Sequence, residues 1–222
     1  MLFLQRHVGH NVGVRQKKPN LIQKSRTSMN PSNEAINSIF KSFNQIIWIV
    51  TSSYENQRGG LTATWVHQAS IDIENPIVNI GLAPNHHTCE LVSQSKRVGL
   101  HLLRPDQAEV AYQFAKPSGR DFDKFDGIDV LETEPPLLTD CHTSFKCDVF
   151  SRTDAGDRIY FLADIIDFKQ NSVGPTMKES DFFSQCSYEQ IAQLKSDLST
   201  DVAIQRPLLR SFRQHKSETD DS

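Results

Sequence analysis

Two histidines and a threonine stand side by side at 86–88, in the stretch LAPNHHTCELV, where an apolar run gives way to a helical one. A strand, a Pro84-Asn85 turn and a helix opening on His86, His87 and Thr88 would suit an anion. A helix start offers free N–H groups and the positive end of the dipole, the threonine adds a hydroxyl, and an imidazole can add charge. The plainer account makes Thr88 or Asn85 an ordinary N-cap beside two solvent histidines, and the residues alone favour it. Metal binding is weaker still, because adjacent side chains diverge and no third ligand is near in sequence.

A second stretch, RGGLTATWVHQAS (58–70), begins with two glycines and then alternates small hydroxyls with apolar residues. Thr62 and Thr64 share one parity of an extended chain; Leu61, Ala63 and Trp65 share the other. Small side chains at a glycine-led strand start leave room for something to lie against the main chain. Elsewhere the catalytic patterns are missing: there is no G-x-S-x-G elbow, P-loop, H-E-x-x-H or Rossmann glycine run. Cys89, Cys141, Cys147 and Cys186 form no CxxC pair, so they read as reduced structural thiols. The carboxylates of GRDFDKFDGID read as a solvated loop. Trp48 reads as core, while Trp65 fits either a core or a stacking platform.

These residues must be positioned by short elements. NPSNEAINSIFKSF reads as a helix with Asn30 as N-cap, Pro31 at its first position and a stripe of Ile36, Ile39, Phe40 and Phe43. The β-branched run 45–53 is a strand, and the polar YENQRGG folds it into a hairpin with the glycine-led stretch. Further strands are expected over 77–83, 97–103, 144–150 and 158–168, with helices over 86–95 and from Pro105 to the stop signal KPSG. Pro135-Pro136 excludes regular structure from the loop before the last hairpin. SYEQ at 187–190 has the capping-box form and opens a helix with the stripe Ile191, Leu194, Leu198 and Val202. Six strands broken by short helices disfavour a doubly wound parallel sheet and fit a mainly antiparallel barrel with peripheral helices.

The chain's 222 residues suit one domain, expected over 29–205. Residues 1–28 carry six basic side chains and no acid, and read as a flexible basic tail; a transit peptide is the other reading of that composition. Residues 206–222 read as a charged tail that frays beyond Phe212. The net charge of −3 gives no reason to expect nucleic acid, no apolar run is long enough for a membrane span, and the cysteine usage suits the cytoplasm.

The order of elements from IIWIVTSS through RGGLTATW, ASID before Pro76, LAPNHHTCELV and AEVAYQFA resembles the flavin reductase-like family of FMN-binding split barrels, over roughly residues 36–168. That resemblance implies an antiparallel split β-barrel assembled as a homodimer, with non-covalent FMN near the subunit interface. It implies that Thr62, Ala63, Thr64 and Trp65 lie along the flavin ring, that His86 and Thr88 hold the phosphate, and that Ser70 supports the site from its turn. The implied activity is hydride transfer from NAD(P)H to flavin, a step that needs no side-chain acid or base.

Departures from the family pattern bear on that activity. Arg158 stands where many members have the histidine of a Gly-Asp-His segment, Ala163 where a glycine is usual, and His101 where an asparagine is common. Arg158 and His101 are the residues expected to face the substrate, the arginine through a nucleotide phosphate or another anion. The alternative is an FMN-binding module reduced by another protein or small molecule. A dimeric structural protein without flavin is disfavoured by the small residues at 62–64. The C-terminal helix lies outside the resemblance and reads as a packing element.

Overall fold

The computed structural model describes residues 32–220 except Ser118 and Asp121. The basic tail, Asn30 and Pro31 therefore lie outside the described residues. The chain divides into two units after Ser42. In the first, helix α1 (Asn33–Lys41) is capped by Ser32, whose hydroxyl accepts from the Ala35 N–H at 3.1 Å, and none of its residues is buried. Ile39 and Phe40, expected as part of an apolar stripe, are about 60% exposed.

The second unit is built on one seven-stranded antiparallel sheet. Its strands are β1 (Trp48–Tyr54), β2 (Gln57–Ala63), β3 (Val66–Gln68), β4 (Ile77–Leu82), β5 (Arg97–Leu102), β8 (Thr143–Asp154) and β9 (Ile159–Gln170), in the order β2-β1-β5-β8-β9-β4-β3. Only Thr64 and Trp65 separate β2 from β3 in the chain, yet these strands stand at opposite ends of that order. So short a link forces the sheet to curl until its edges approach, which closes it into a split barrel. The Gly81 N–H donates to the Trp65 carbonyl at 2.8 Å, carrying the β3–β4 pairing one residue back toward β2. Strand β1 shows how the two faces are used: Val50 points into the barrel with Ile80, Leu100 and Phe161, while Ile49 packs outside with Leu103, Phe114 and Met177.

The expected hairpin forms, with Tyr54 opposite Gln57 and the turn passing through Glu55 at φ +54°. Gly59 and Gly60 are not at the strand start but inside β2, paired with Ser52 and Thr51. Helix α2 (His87–Ser95) matches expectation, and α3 (Ala108–Ala115) begins later than Pro105, after Gln107, whose side-chain oxygen accepts from the Arg104 N–H. The loop read as irregular carries a two-stranded ribbon, β6 (Val130–Leu131) with β7 (Leu137–Leu138), its strands lying either side of the prolines. Helix α4 (Glu179–Gln185) follows the sheet.

Helix α5 (Tyr188–Asp220) opens on the expected capping box. The Gln190 N–H donates to the Ser187 hydroxyl at 3.2 Å and the Ser187 N–H to the Gln190 side chain at 2.7 Å. It then continues through Pro207 to Asp220, where the sequence suggested a fraying tail. Its inward face is also different: Leu198 and Val202 are exposed, whereas Leu194, Asp197, Asp201 and Gln205 turn toward the barrel. Among the described residues no helix is long and apolar enough to cross a membrane.

Candidate functional site

The chain leaves β4 through Ala83, and the His86 N–H donates to the Ala83 carbonyl at 3.1 Å. His86 is the N-cap of α2 in extended conformation, and no side chain caps the helix. Its first turn therefore presents backbone donors and the positive end of the dipole. Thr88 is buried in that turn.

Strand β2 lies beneath. A Cβ added at Gly59 would come within 2.9 Å of Leu91 Cδ1 and 3.3 Å of His87 and Thr88; one at Gly60 would meet the Phe114 ring at 2.5 Å. The paired glycines therefore let α2 and α3 sit directly on the strand. What lies against that main chain is the protein's own helices.

Between these elements is a cavity of about 480 Å³, lined by Gly60–Thr62, Asn85–Thr88, the end of α3 from Phe114, Lys124 and the inner face of α5 from Leu194 to Ile204. The volume falls in the ordinary range for small-molecule sites. Its lining mixes apolar side chains, among them Leu61, Phe114, Leu194 and Ile204, with the charged Lys124, Asp197 and Asp201. Lys124 is buried, donates to the Phe114 carbonyl at 2.9 Å, and is pushed down to about 8 by burial, with Asp201 opposing. Burial also lowers the His87 pKa, helped by the charge of Arg120. The His87 Nδ1 is buried without a hydrogen bond, the nearest carboxylate oxygen being Glu90 Oε2 at 3.7 Å.

Of the residues expected at a flavin site, Thr62, His86 and Thr88 line this cavity. The Thr62 hydroxyl already donates to the Ala111 carbonyl at 2.6 Å. Thr64 and Trp65 lie at the seam after β2, and Arg158 stacks its guanidinium 4.5 Å over the Trp65 ring.

Three expected residues lie elsewhere. Ala63 is part of the barrel core. Ser70 accepts from the Asp72 N–H in its own turn, which serves to shape that turn. His101 is fully buried, with Nδ1 3.1 Å from the Ile49 carbonyl and Nε2 accepting from the Leu138 N–H at 3.1 Å. With both nitrogens used and burial lowering its pKa to about 4, it is a neutral structural residue with no face for a substrate. The thiols of Cys89, Cys141 and Cys147 are buried and pushed up to about 11, 11 and 12, in keeping with their structural reading.

Sequence reasoning missed the contribution of α5. Asp201 places Oδ2 3.0 Å from His86 Nε2, while its Oδ1 accepts from Asn85 Nδ2 at 3.0 Å. One turn on, Gln205 donates to Asn85 Oδ1 at 3.2 Å and accepts from Arg158 at 2.6 Å. A signal was present: Asp197, Asp201 and Gln205 recur at helical spacing and make a polar stripe beside Leu194. Lys124 had none, since a lysine in an acidic loop looks like any surface residue.

A family model described as the flavin reductase like domain matches residues 40–184. Among solved structures, the NADH:FAD oxidoreductase of Streptomyces globisporus is similar with a TM-score of 0.60 and 21% identity, over 68% of this chain and 90% of that one. An FMN-binding protein from Thermus thermophilus, with bound p-hydroxybenzaldehyde, gives 0.53 and 17%, over 57% and 72%. A candidate oxidoreductase from Sinorhizobium meliloti gives 0.57 and 22% over 64% of this chain, which spans only 49% of that protein. At these identities the likeness is one of fold. No curated protein matches the chain. The matched region ends before α5 begins.

Proposed function

The chain belongs to the flavin reductase-like domain family, and from that premise we propose that it is an FMN-binding oxidoreductase that takes electrons from NAD(P)H. The observation that carries this reading is the cavity at the start of α2, whose lining joins backbone donors, Thr88, His86 and the buried Lys124 to apolar side chains. Such a site fits a ligand with a flat apolar body and an anionic end.

In this reading the first turn of α2 and Thr88 hold the phosphate, with charge from Lys124 and His86. Leu61 and Phe114 keep water from the body of the ligand. Flavin, when bound, supplies the electron-accepting chemistry. The chain's own task is orientation and desolvation, and none of its side chains has to move a proton in that step. Trp65 and Arg158 offer a stacked, cationic surface suited to a nucleotide. We read the protein as a cytoplasmic homodimer. The Trp48–Phe145–Phe168 ladder on the sheet, with Phe168 65% exposed, supports a surface meant to be covered.

One observation favours the second reading, an FMN-binding module with another reductant. Arg158 is already held by Gln205 and by the Asp157 carbonyl, both at 2.6 Å, so it is not waiting for a nucleotide. Stopped-flow mixing of the FMN-loaded protein with NADH and with NADPH separates the two. Bleaching of the flavin band within seconds is the expected result. If dithionite bleaches bound FMN while neither nucleotide does, the module reading replaces the reductase.

A further inference from the structure

Helix α5 lies outside the family match and crosses the cavity with acidic side chains turned inward. That is the wrong sign for a wall meant to meet a phosphate. Asp201 binds His86 and Asn85 together, two of the polar groups at the entrance to α2, as an anionic ligand would bind them. We propose that α5 is a displaceable cover whose Asp201 carboxylate holds the anion position of the cavity, so that docking of α5 and binding of a phosphate-bearing ligand compete. The proposal rests on the reading that this cavity takes an anionic ligand, and extends it to how access is controlled.

The way α5 is attached agrees with this. Over 188–206 it is held chiefly by a polar latch: Asp201 on His86 and Asn85, and Gln205 on Asn85 and Arg158. Its apolar contacts there are few: Leu194 packs against the outer core cluster, while Leu198 is 63% exposed and Ile204 45%. Asp197, one turn before Asp201, has its Oδ2 buried without a hydrogen-bond partner, so docking leaves a carboxylate oxygen uncompensated. Segments with few buried apolar contacts open at low cost. The link to α4 is short and extended, with Cys186 at φ −70° and ψ 140°, and can act as a pivot. A phosphate arriving at the start of α2 meets the charge of Asp201 and Asp197 and can take over the partners that Asp201 occupies. Lys124, whose charge Asp201 stabilises, exchanges one anion for another.

The test uses the full chain and its Asp201→Asn variant, which keeps the side-chain shape and removes the charge. FMN, riboflavin and inorganic pyrophosphate are titrated separately, and hydrogen exchange over 188–206 is followed with and without each. The expected result is that Asp201→Asn binds FMN and pyrophosphate about tenfold more tightly, equivalent to about 1.4 kcal/mol. Riboflavin, which has no phosphate, is unaffected, and saturating FMN speeds exchange in 188–206 of the unmodified chain. A gain for pyrophosphate with no FMN binding by either protein keeps the cover and discards the flavin. Unchanged or weaker pyrophosphate binding in Asp201→Asn overturns the proposal, as does its absence from both proteins or slower exchange of α5 on ligand binding. If Asp201→Asn does not fold, Asp197→Asn must show the same gain.

Discussion

Acidification is expected to weaken the fold through His101, which is fully buried. The folded pKa of this imidazole is about 4, because burial disfavours its charge, against about 6.5 for an exposed one. The unfolded chain therefore takes the proton first. The stabilisation is complete above about pH 6.5 and is lost as the pH falls toward about 4. At about pH 5.5 the unfolded imidazole is protonated about ten to one, while the folded one is mostly neutral, which puts the loss on the order of 1 kcal/mol relative to pH 7.5. Urea denaturation, followed by the fluorescence of Trp48 and Trp65, measures this when the protein is compared with its His101→Gln variant. Other titrating groups then cancel in the difference. The variant should be less stable by about 1–3 kcal/mol near neutrality, since the contacts to the Ile49 carbonyl and the Leu138 N–H are disturbed. Its stability should also fall less steeply as the pH is lowered, by the same order of 1 kcal/mol. Parallel pH dependences, or a His101 resonance titrating near 6.5, would refute the reasoning and reopen this residue to a role at the surface.

Gly60→Ala should cost about 1–3 kcal/mol in the same assay, because the added methyl meets the Phe114 ring at 2.5 Å and that ring is locked edge-on against Phe125. Gly59→Ala pushes instead on flexible Leu91 and on His87 and Thr88, so its larger effect should be on FMN titration. Thr88→Ala should weaken FMN by about 1–3 kcal/mol, the scale for one donor to a charged acceptor; unchanged affinity would move the phosphate elsewhere. FMN affinity should also decline above pH 8 as Lys124 loses its proton, and Lys124→Gln should abolish that decline.

Much of this protein is legible in one dimension. Alternation and β-branching mark the strands, the SYEQ box marks the start of α5, and the His-His-Thr run after Pro84-Asn85 marks a helix start. These are signals between neighbours, and local propensity decides them. What lies above a residue is another matter. The glycines of β2 look alike whether a ligand or a helix rests on them, and only the placement of α2 and Phe114 shows that it is helices. A histidine inside a strand can face water or core, and His101 faces core because Ile49 and Leu138 bring their backbone groups to its two nitrogens from distant segments. Lys124 reads as solvated until the Phe114 carbonyl and the cavity wall enclose it. The charged stripe of α5 gained its meaning only when a residue at 201 met one at 86, across a sequence separation that no local pattern spans. Chain chemistry determined the elements, and long-range packing decided which of their polar groups meet.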